Sequence, residues 1–547
     1  MRLRTVISGV CLLFTVCVFC VYTRSRLWPG VPGMLVLSLL LISAVNEETL
    51  RTRFFLITGL ICTVSVTYRL VIVIFPGSLI GMDPDEYAWA IRNVVNTGTI
   101  AGSEFSIFYE QTGIMLAFGG VSSILMDIPG REAMAVYAVV LGLLVPLSVV
   151  VIARSLWPTH PRIAVYSASI ASVATATLKF SGWPIAQSLA VVFWVVFLYL
   201  FLRYLGDDWR LSALALCIAL PFVFTHKLAP LIAFLATSGV LLGTISMRLR
   251  PSKPPLRTSF RPVVIFSLVV AALAYLQWNM SEYFAGVVWH LLRTVSSVGG
   301  GESGVVEVTS AEPALNGLTM ILYRRGHALA LAAIAGIGWL FLLTTQRRPA
   351  THLVLGCVTV ITGTTALAFV APGLSFERPL FFAEPLLAIM AGVVLSAIVG
   401  SDRLPSSKQL VRIVFLGLLV TQAFAAPAIP DSTHQPRYYL DSNEMQSKQF
   451  AGVYGPETVH TDFYLTEERA DWTGTQNTKF EPIDRAYLTG SIEGEYILHR
   501  SISVRYTPHL LPQARESIWV LRWNPKATLD HEYHRVYDSG STTHYKY

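Results

Sequence analysis

Charge is what this sequence has little of. Only 14% of its 547 residues are Asp, Glu, Lys or Arg, where a soluble protein carries about a quarter. That excludes a water-soluble globular chain of this length. Cysteine is scarce too. Cys11, Cys17, Cys20, Cys62, Cys217 and Cys357 all fall in apolar segments and none in the polar tail, so neither a disulfide framework nor a thiolate metal site is indicated. There is no internal repeat and no low-complexity segment, which counts against the paired-repeat architecture common among secondary transporters. The net charge of +7 does not call for nucleic acid, because much of the excess lies in short loops where membrane orientation accounts for it.

Apolar residues dominate instead, at 53% of the chain. Runs of roughly 17–22 residues, enough to cross a hydrocarbon core, recur from the N-terminus to about residue 427. The expected fold class is an α-helical polytopic membrane protein. The candidate spans are 6–22, 33–45, 54–75, 133–152, 163–178, 186–202, 211–224, 228–246, 263–280, 327–344, 353–371, 379–399 and 411–427, about thirteen crossings. The first run follows Arg2 and Arg4 and could pass for a signal peptide. It lacks a small-residue cleavage site and more apolar segments follow, so a retained helix is expected.

Lys and Arg set the orientation. The loop "MRLRPSKPPLRTSFRP", Met247 to Pro262, carries five basic residues and no acid, which places it in the cytoplasm. "TQRRPATH", "SDRLPSSKQLVR", Arg154 with Arg162, and Arg51 with Arg53 fall on that side; only Arg24 and Arg26 argue against it. Alternation puts the N-terminus inside, and residues 76–132, "KFSGWPIA", "THK", 281–326 and the tail outside. Residues 113–127 are apolar but short, with both flanks external, and read as a surface or re-entrant helix. The domain plan is a membrane domain, 1–427, with large outer loops at 76–132 and 281–326, followed by an extracytoplasmic α/β domain, 428–547. In that tail "DSNEMQSKQFAGVYG" starts like a capped helix, with Asp441 at the N-cap and Glu444 three residues on. "ETVHTDFYL", "EYILHRSI", "SIWVLRW" and "HRVYDSG" read as short strands.

The densest early acid cluster is "GMDPDEYAWAIRNVVNTGTI", Gly81 to Ile100. Structurally it is a helix start, with Asp83 at the N-cap, Pro84 first in the helix, Asp85 at the positive end and Glu86 closing a capping box. A capping carboxylate is also fixed and kept ionised by backbone N–H groups, which suits a general base. "DPDEYAWAIR" resembles the Asp-x3-Tyr-Ala-x3-Arg pattern in the first outer loop of GT-C membrane glycosyltransferases, above all the lipid A aminoarabinose transferases, then protein O-mannosyltransferases and archaeal dolichol-dependent enzymes. "NTGTI", "FYE" (Phe108 to Glu110), "THKLAPL" and the outer tail add to the likeness.

The resemblance implies a GT-C-like fold. It also implies transfer of a single sugar from a polyprenyl- or dolichyl-phosphate donor to a glycan, protein or lipid acceptor, with inversion. Asp83 matches the family's catalytic acid, with Asp85 and Glu86 as the adjacent alternatives. Tyr87, Arg92 and Glu110 follow as substrate-side residues. Cations are needed to offset charge on the departing phosphate. His226, Lys227 and Arg378 lead those candidates, with Lys179, Arg324 and Arg325 behind, each of which also has an ordinary role as a snorkelling anchor. Arg69 lies inside the third span, where charge marks either function or outward snorkelling.

The chain departs from the oligosaccharyltransferase pattern. "ADWTG" around Trp472 stands where a Trp-Trp-Asp-Tyr-Gly motif would be, and "KFSGWPIA" has no metal-binding acid. Asp83 and Asp85 alone form a DxD-like pair. No cofactor is therefore expected; a divalent cation, Mg or Mn, is disfavoured. "VHTD", Val459 to Asp462, reads as a strand end and helix cap rather than a catalytic pair. Two other functions suit a polytopic chain with a polar tail: a lipid-sugar flippase or transporter, and a non-catalytic membrane assembly protein.

Overall fold

The computed structural model describes the chain except residues 1–2, 23–29, 75–77, 82, 101–106, 205–208, 249–259, 281–310, 314–316, 346–348, 371–375, 400–406, 426–438, 469–477, 493, 502–504 and 507–518. Most of the loop 281–326, the core of the basic loop 247–262, Trp472 and the side chain of Arg324 fall outside the described residues.

Each expected span contains a helix. They are α1 (Leu3–Tyr22), α2 (Val31–Ser43), the short α3 (Glu47–Thr52), α4 (Phe54–Ile74), α5 (Asp83–Thr97), α6 (Ile107–Gln111), α7 (Ile114–Met126), α8 (Gly130–Leu156), α9 (Pro161–Val173), α10 (Thr175–Gly182), α11 (Ala186–Tyr204), α12 (Trp209–Thr225), α13 (Ala229–Arg248), α14 (Phe260–Met280), then, after β1 (Ala311–Pro313), α15 (Gly317–Thr345), α16 (Pro349–Val370), α17 (Glu377–Val399) and α18 (Ser407–Ala425). Among the described residues seven helices are long and apolar enough to cross a membrane, eight if α9 and α10 count as one bent span. Others, such as α2 and α12, are shorter apolar helices. The chain is a multi-pass membrane protein, and the number thirteen remains an expectation.

Helix packing relies on small residues where backbones approach. Gly239 of α13 and Gly356 of α16 meet so closely that a Cβ at 356 would lie 2.0 Å from the Gly239 carbonyl oxygen. The helix α7, the apolar stretch 113–127, packs on α5 and α8. Its last turn leaves Ile124, Leu125 and Met126 exposed, as a helix dipping into lipid would.

The span read as 163–178 is broken at Ala174, with a 45° bend between α9 and α10. A helix break inside the membrane strands carbonyls on one side and N–H groups on the other, and each must find a partner. Here both ends are met by buried polar side chains. Arg69 of α4 donates to the Ser172 carbonyl (3.0 Å) at the end of α9 and to Ser181 Oγ (2.8 Å) in α10. Glu384 of α17 accepts from the Ala176 and Thr177 N–H groups (2.7 and 2.8 Å) at the start of α10, and Gln422 of α18 accepts from Thr175 N–H (3.1 Å). Cation at the carbonyl end and anion at the N–H end match the helix dipoles. Arg69 therefore does not snorkel; it is fully buried at the break.

The tail forms α19 (Ser442–Tyr454), β2 (Thr458–Thr461), α20 (Phe463–Glu467), β3 (Lys479–Pro482), α21 (Asp484–Thr489), β4 (Tyr496–Arg500), β5 (Arg505–Tyr506), β6 (Trp519–Leu521), α22 (Pro525–Glu532), β7 (His534–Asp538) and β8 (Thr542–Lys546). A five-stranded mixed sheet runs in the order β3-β2-β4-β8-β7, and β1 pairs with β6 in a three-stranded sheet with β5. The capping box of Asp441 and Glu444 is formed. "VHTD" ends β2 and starts α20, with Asp462 capping through the Tyr464 N–H. The expected strand "ETVHTDFYL" stops at Thr461 because that cap turns the chain into a helix.

Candidate functional site

The acid cluster opens α5, an amphipathic helix that buries Tyr87, Ala88, Ala90 and Ile91. The helix begins at Asp83, one residue earlier than the spacing suggested. At 100° per residue, Asp83 and Asp85 point about 200° apart, while Glu86 and Tyr87 return to the Asp83 face. Asp85 is 4% exposed, whereas Asp83 is half-buried. The helix thus separates the two members of the DxD-like pair. Among the described residues no group of three or more His, Cys, Asp or Glu could hold a metal ion.

Four segments gather near the start of α5, linked through Arg378, Lys227 and Trp183. Arg378, at the start of α17, is its electrostatic neighbour and also that of His226 and Lys227 in the tight α12–α13 connection. The "FYE" stretch forms α6 and reaches the same place, with the Lys227 ammonium 5.3 Å over the Phe108 ring. The "KFSGWPIA" connection supplies Trp183, which packs on Gly81 (φ 87°). Lys179, in the same connection, forms an ion pair with Glu377.

The electrostatics follow from this crowding. Burial raises the Asp83 carboxyl above the ordinary aspartate value, while Arg378 and a hydrogen bond from its own backbone N–H hold the rise back. Burial, then the charges of Arg378 and Lys227, push His226 well below the usual histidine value. It is 5% exposed and neutral at physiological pH. Its Nδ1 accepts from the Leu228 N–H (3.1 Å), so the proton sits on Nε2, which is left as a donor. Lys227 is lowered by burial and then by Arg378.

The remaining sequence candidates are placed as follows. Tyr87 is buried, edge-on to Tyr109 (5.3 Å between ring centres), with its hydroxyl bonded to the Tyr109 side chain and the Ala186 backbone N–H. It anchors α5 to α6 and α11. Arg92 lies nine residues along α5, about 13 Å from Asp83 along the axis, beside the close approach of Gly130 to that helix. Glu110 is half-buried one residue beyond Tyr109. Arg325 lies 5.2 Å over the Phe376 ring. Trp183 and Ser78 were not among the sequence candidates, because neither carries a local signal of its own.

No family model and no curated protein matches this chain. Solved structures do. The oligosaccharyltransferase of Archaeoglobus fulgidus, in complex with zinc and sulfate, is 12% identical with a TM-score of 0.49, covering 81% of this chain and 68% of that one. ArnT from Cupriavidus metallidurans, bound to undecaprenyl phosphate, is 12% identical with a TM-score of 0.48, covering 90% and 98%. The arabinofuranosyltransferase AftD from Mycobacteria is 11% identical with a TM-score of 0.41, covering 89% of this chain and 39% of that one. These three are GT-C glycosyltransferases.

Proposed function

We propose that this chain is an integral-membrane glycosyltransferase that moves one sugar from a polyprenyl- or dolichyl-phosphate carrier to a glycan, protein or lipid acceptor at the outer face of the membrane. The observation that supports the reading is Arg378, which is the electrostatic neighbour of Asp83 and also of His226 and Lys227. One carboxylate, two cations and a neutral imidazole donor share the mouth of the helix bundle. A lipid-borne phosphate is confined to that depth by its tail.

In the proposed reaction the acceptor oxygen bonds to the anomeric carbon from the side opposite the phosphate. The bond from that carbon to the phosphate oxygen breaks, and its electron pair leaves with the carrier phosphate. The acceptor proton passes to the Asp83 carboxylate, so the configuration inverts. Arg378 and Lys227 offset the charge that grows on the leaving phosphate. His226 Nε2–H can donate to a phosphate or sugar oxygen without adding charge.

Burial makes Asp83 a stronger base than an exposed aspartate. Arg378 opposes that rise and so favours the ionised form. Its separation from Asp85 favours a base over a metal ligand.

The test is transfer by purified protein in liposomes supplied with a carrier-phosphate sugar. Transfer that survives Asp83→Ala combined with Asp85→Ala and Glu86→Ala sinks the assignment of the base. Substrate counterflow with no covalent product would instead favour a flippase.

A further inference from the structure

The segment leading into Asp83 is gripped from the C-terminal domain. The Ser78 N–H donates to the Leu440 carbonyl (3.0 Å), and the Leu440 N–H donates back to Ser78 Oγ (2.7 Å). The next residue, Asp441, donates its backbone N–H to Glu444 Oε2 (2.8 Å). Glu444 Oε1 accepts from Arg500 Nε (3.0 Å), and Arg500 Nη1 donates to Asp462 Oδ1 (2.9 Å).

A continuous chain of bonds therefore runs from the end of β4 and the α20 cap to Ser78. Ser78, Leu440, Glu444, Asp462 and Arg500 are each more than nine-tenths buried. At the other end of the segment, Gly81 sits against the Trp183 indole. Asp83 opens its helix two residues later. In such a low-dielectric setting, paired polar groups rigidify what they touch; Glu444 uses both carboxylate oxygens here and Asp462 pairs through Oδ1.

We propose that the C-terminal domain positions the Asp83 carboxylate through the Ser78–Leu440 clamp, with Glu444 and Arg500 as positioning residues behind it. The inference rests on Asp83 being the base. A general base must lie within hydrogen-bond reach of the proton it takes, and misplacement by about 1 Å can cost about a hundredfold in rate. The clamp explains why the tail is fastened to the first outer loop at this point, five residues before the acid.

The experiment compares Ser78→Ala, Ser78→Thr and Glu444→Gln in the full-length protein, reading kcat, donor KM, and hydrogen exchange over residues 78–86. Ser78→Ala should lower kcat at least tenfold with donor KM unchanged, and Ser78→Thr, which keeps the hydroxyl, should recover most of the loss. Glu444→Gln should behave like Ser78→Ala, and exchange over 78–86 should rise in both. A kcat within twofold of wild type in Ser78→Ala overturns the proposal, as does a fall in kcat without faster exchange. If Glu444→Gln does not fold, Ser78→Ala decides. A wild-type protein inactive on every carrier-phosphate sugar overturns the transferase reading instead; unchanged exchange in Ser78→Ala would then overturn the clamp on its own.

Discussion

Gly81 faces Trp183 so closely that a Cβ at position 81 would lie 2.2 Å from the indole Cε2, and its φ of 87° is a conformation L side chains rarely adopt. Gly81→Ala therefore meets both a clash and about 1–2 kcal/mol of backbone strain. Transfer activity should drop at least tenfold. Adding Trp183→Ala clears the space but not the strain, so recovery should be partial. Full activity in Gly81→Ala alone would show that the contact does not place the acid cluster.

Replacing the base should cost rate rather than binding. Asp83→Asn is expected to lower kcat by about 10²–10⁴, the usual contribution of general-base catalysis, with donor KM little changed. Glu86→Gln, on the same helix face, should cost less. Asp85→Asn should show up mainly as lost stability, because its side chain is buried in the protein. A larger kcat effect from Asp85 than from Asp83 would reverse the assignment.

The pH profile has a definite sign. Asp83 must be ionised to accept a proton, so activity falls as pH drops through its raised pKa. Arg378 lowers that pKa, and it also lowers that of Lys227, which must stay protonated to meet phosphate. Arg378→Gln should move the acid limb and the basic limb both to higher pH, besides reducing the rate. A profile that narrows, or moves to lower pH, would contradict the shared neighbourhood.

The broken span should be a stability centre. Glu384→Gln puts an amide NH2 among N–H donors, and Arg69→Met leaves the carbonyl end of α9 unmatched. Removing one member of a buried charged arrangement typically costs about 3–5 kcal/mol. Thermal unfolding in detergent should show a large drop for each. Melting temperatures within a degree or two of wild type would mean that water or lipid satisfies the break.

Sidedness is testable by cysteine labelling in intact cells. Glu47 and Arg162 form an ion pair at 2.7 Å and Arg154 covers the Phe54 ring at 4.8 Å, joining loops that the basic-residue count put inside. Ser78 and Leu440 join two segments it put outside. Cysteines at the exposed positions 51 and 454 should label from opposite sides, 454 from the exterior. Labelling of both from one side would break the topology.

The sequence alone settled the class of molecule and the place of its helices. Hydrocarbon thickness fixes how long an apolar run must be, and that rule needs no partner. It also pointed to Asp83 through the resemblance of "DPDEYAWAIR", and to His226, Lys227 and Arg378 as cations at helix ends, each of which also had an ordinary role as an anchor. Local capping rules were legible as well, as Asp441 with Glu444 and the Asp462 turn show.

What the tertiary structure decided was which of these groups meet. Nothing in "SVATAT" announces a break at Ala174, since the polar side chains that stabilise it come from residues more than a hundred positions away along the chain. For the same reason the sequence left Arg69 open between function and snorkelling, where the fold makes it a helix cap, and it could not show that Lys179 pairs with Glu377. Ser78 carried no signal at all, because a clamp exists only when two distant strands of backbone are brought within hydrogen-bond reach. Solvent transfer acts on each segment by itself; electrostatics and hydrogen bonds act between segments, and only the folded arrangement specifies those pairs.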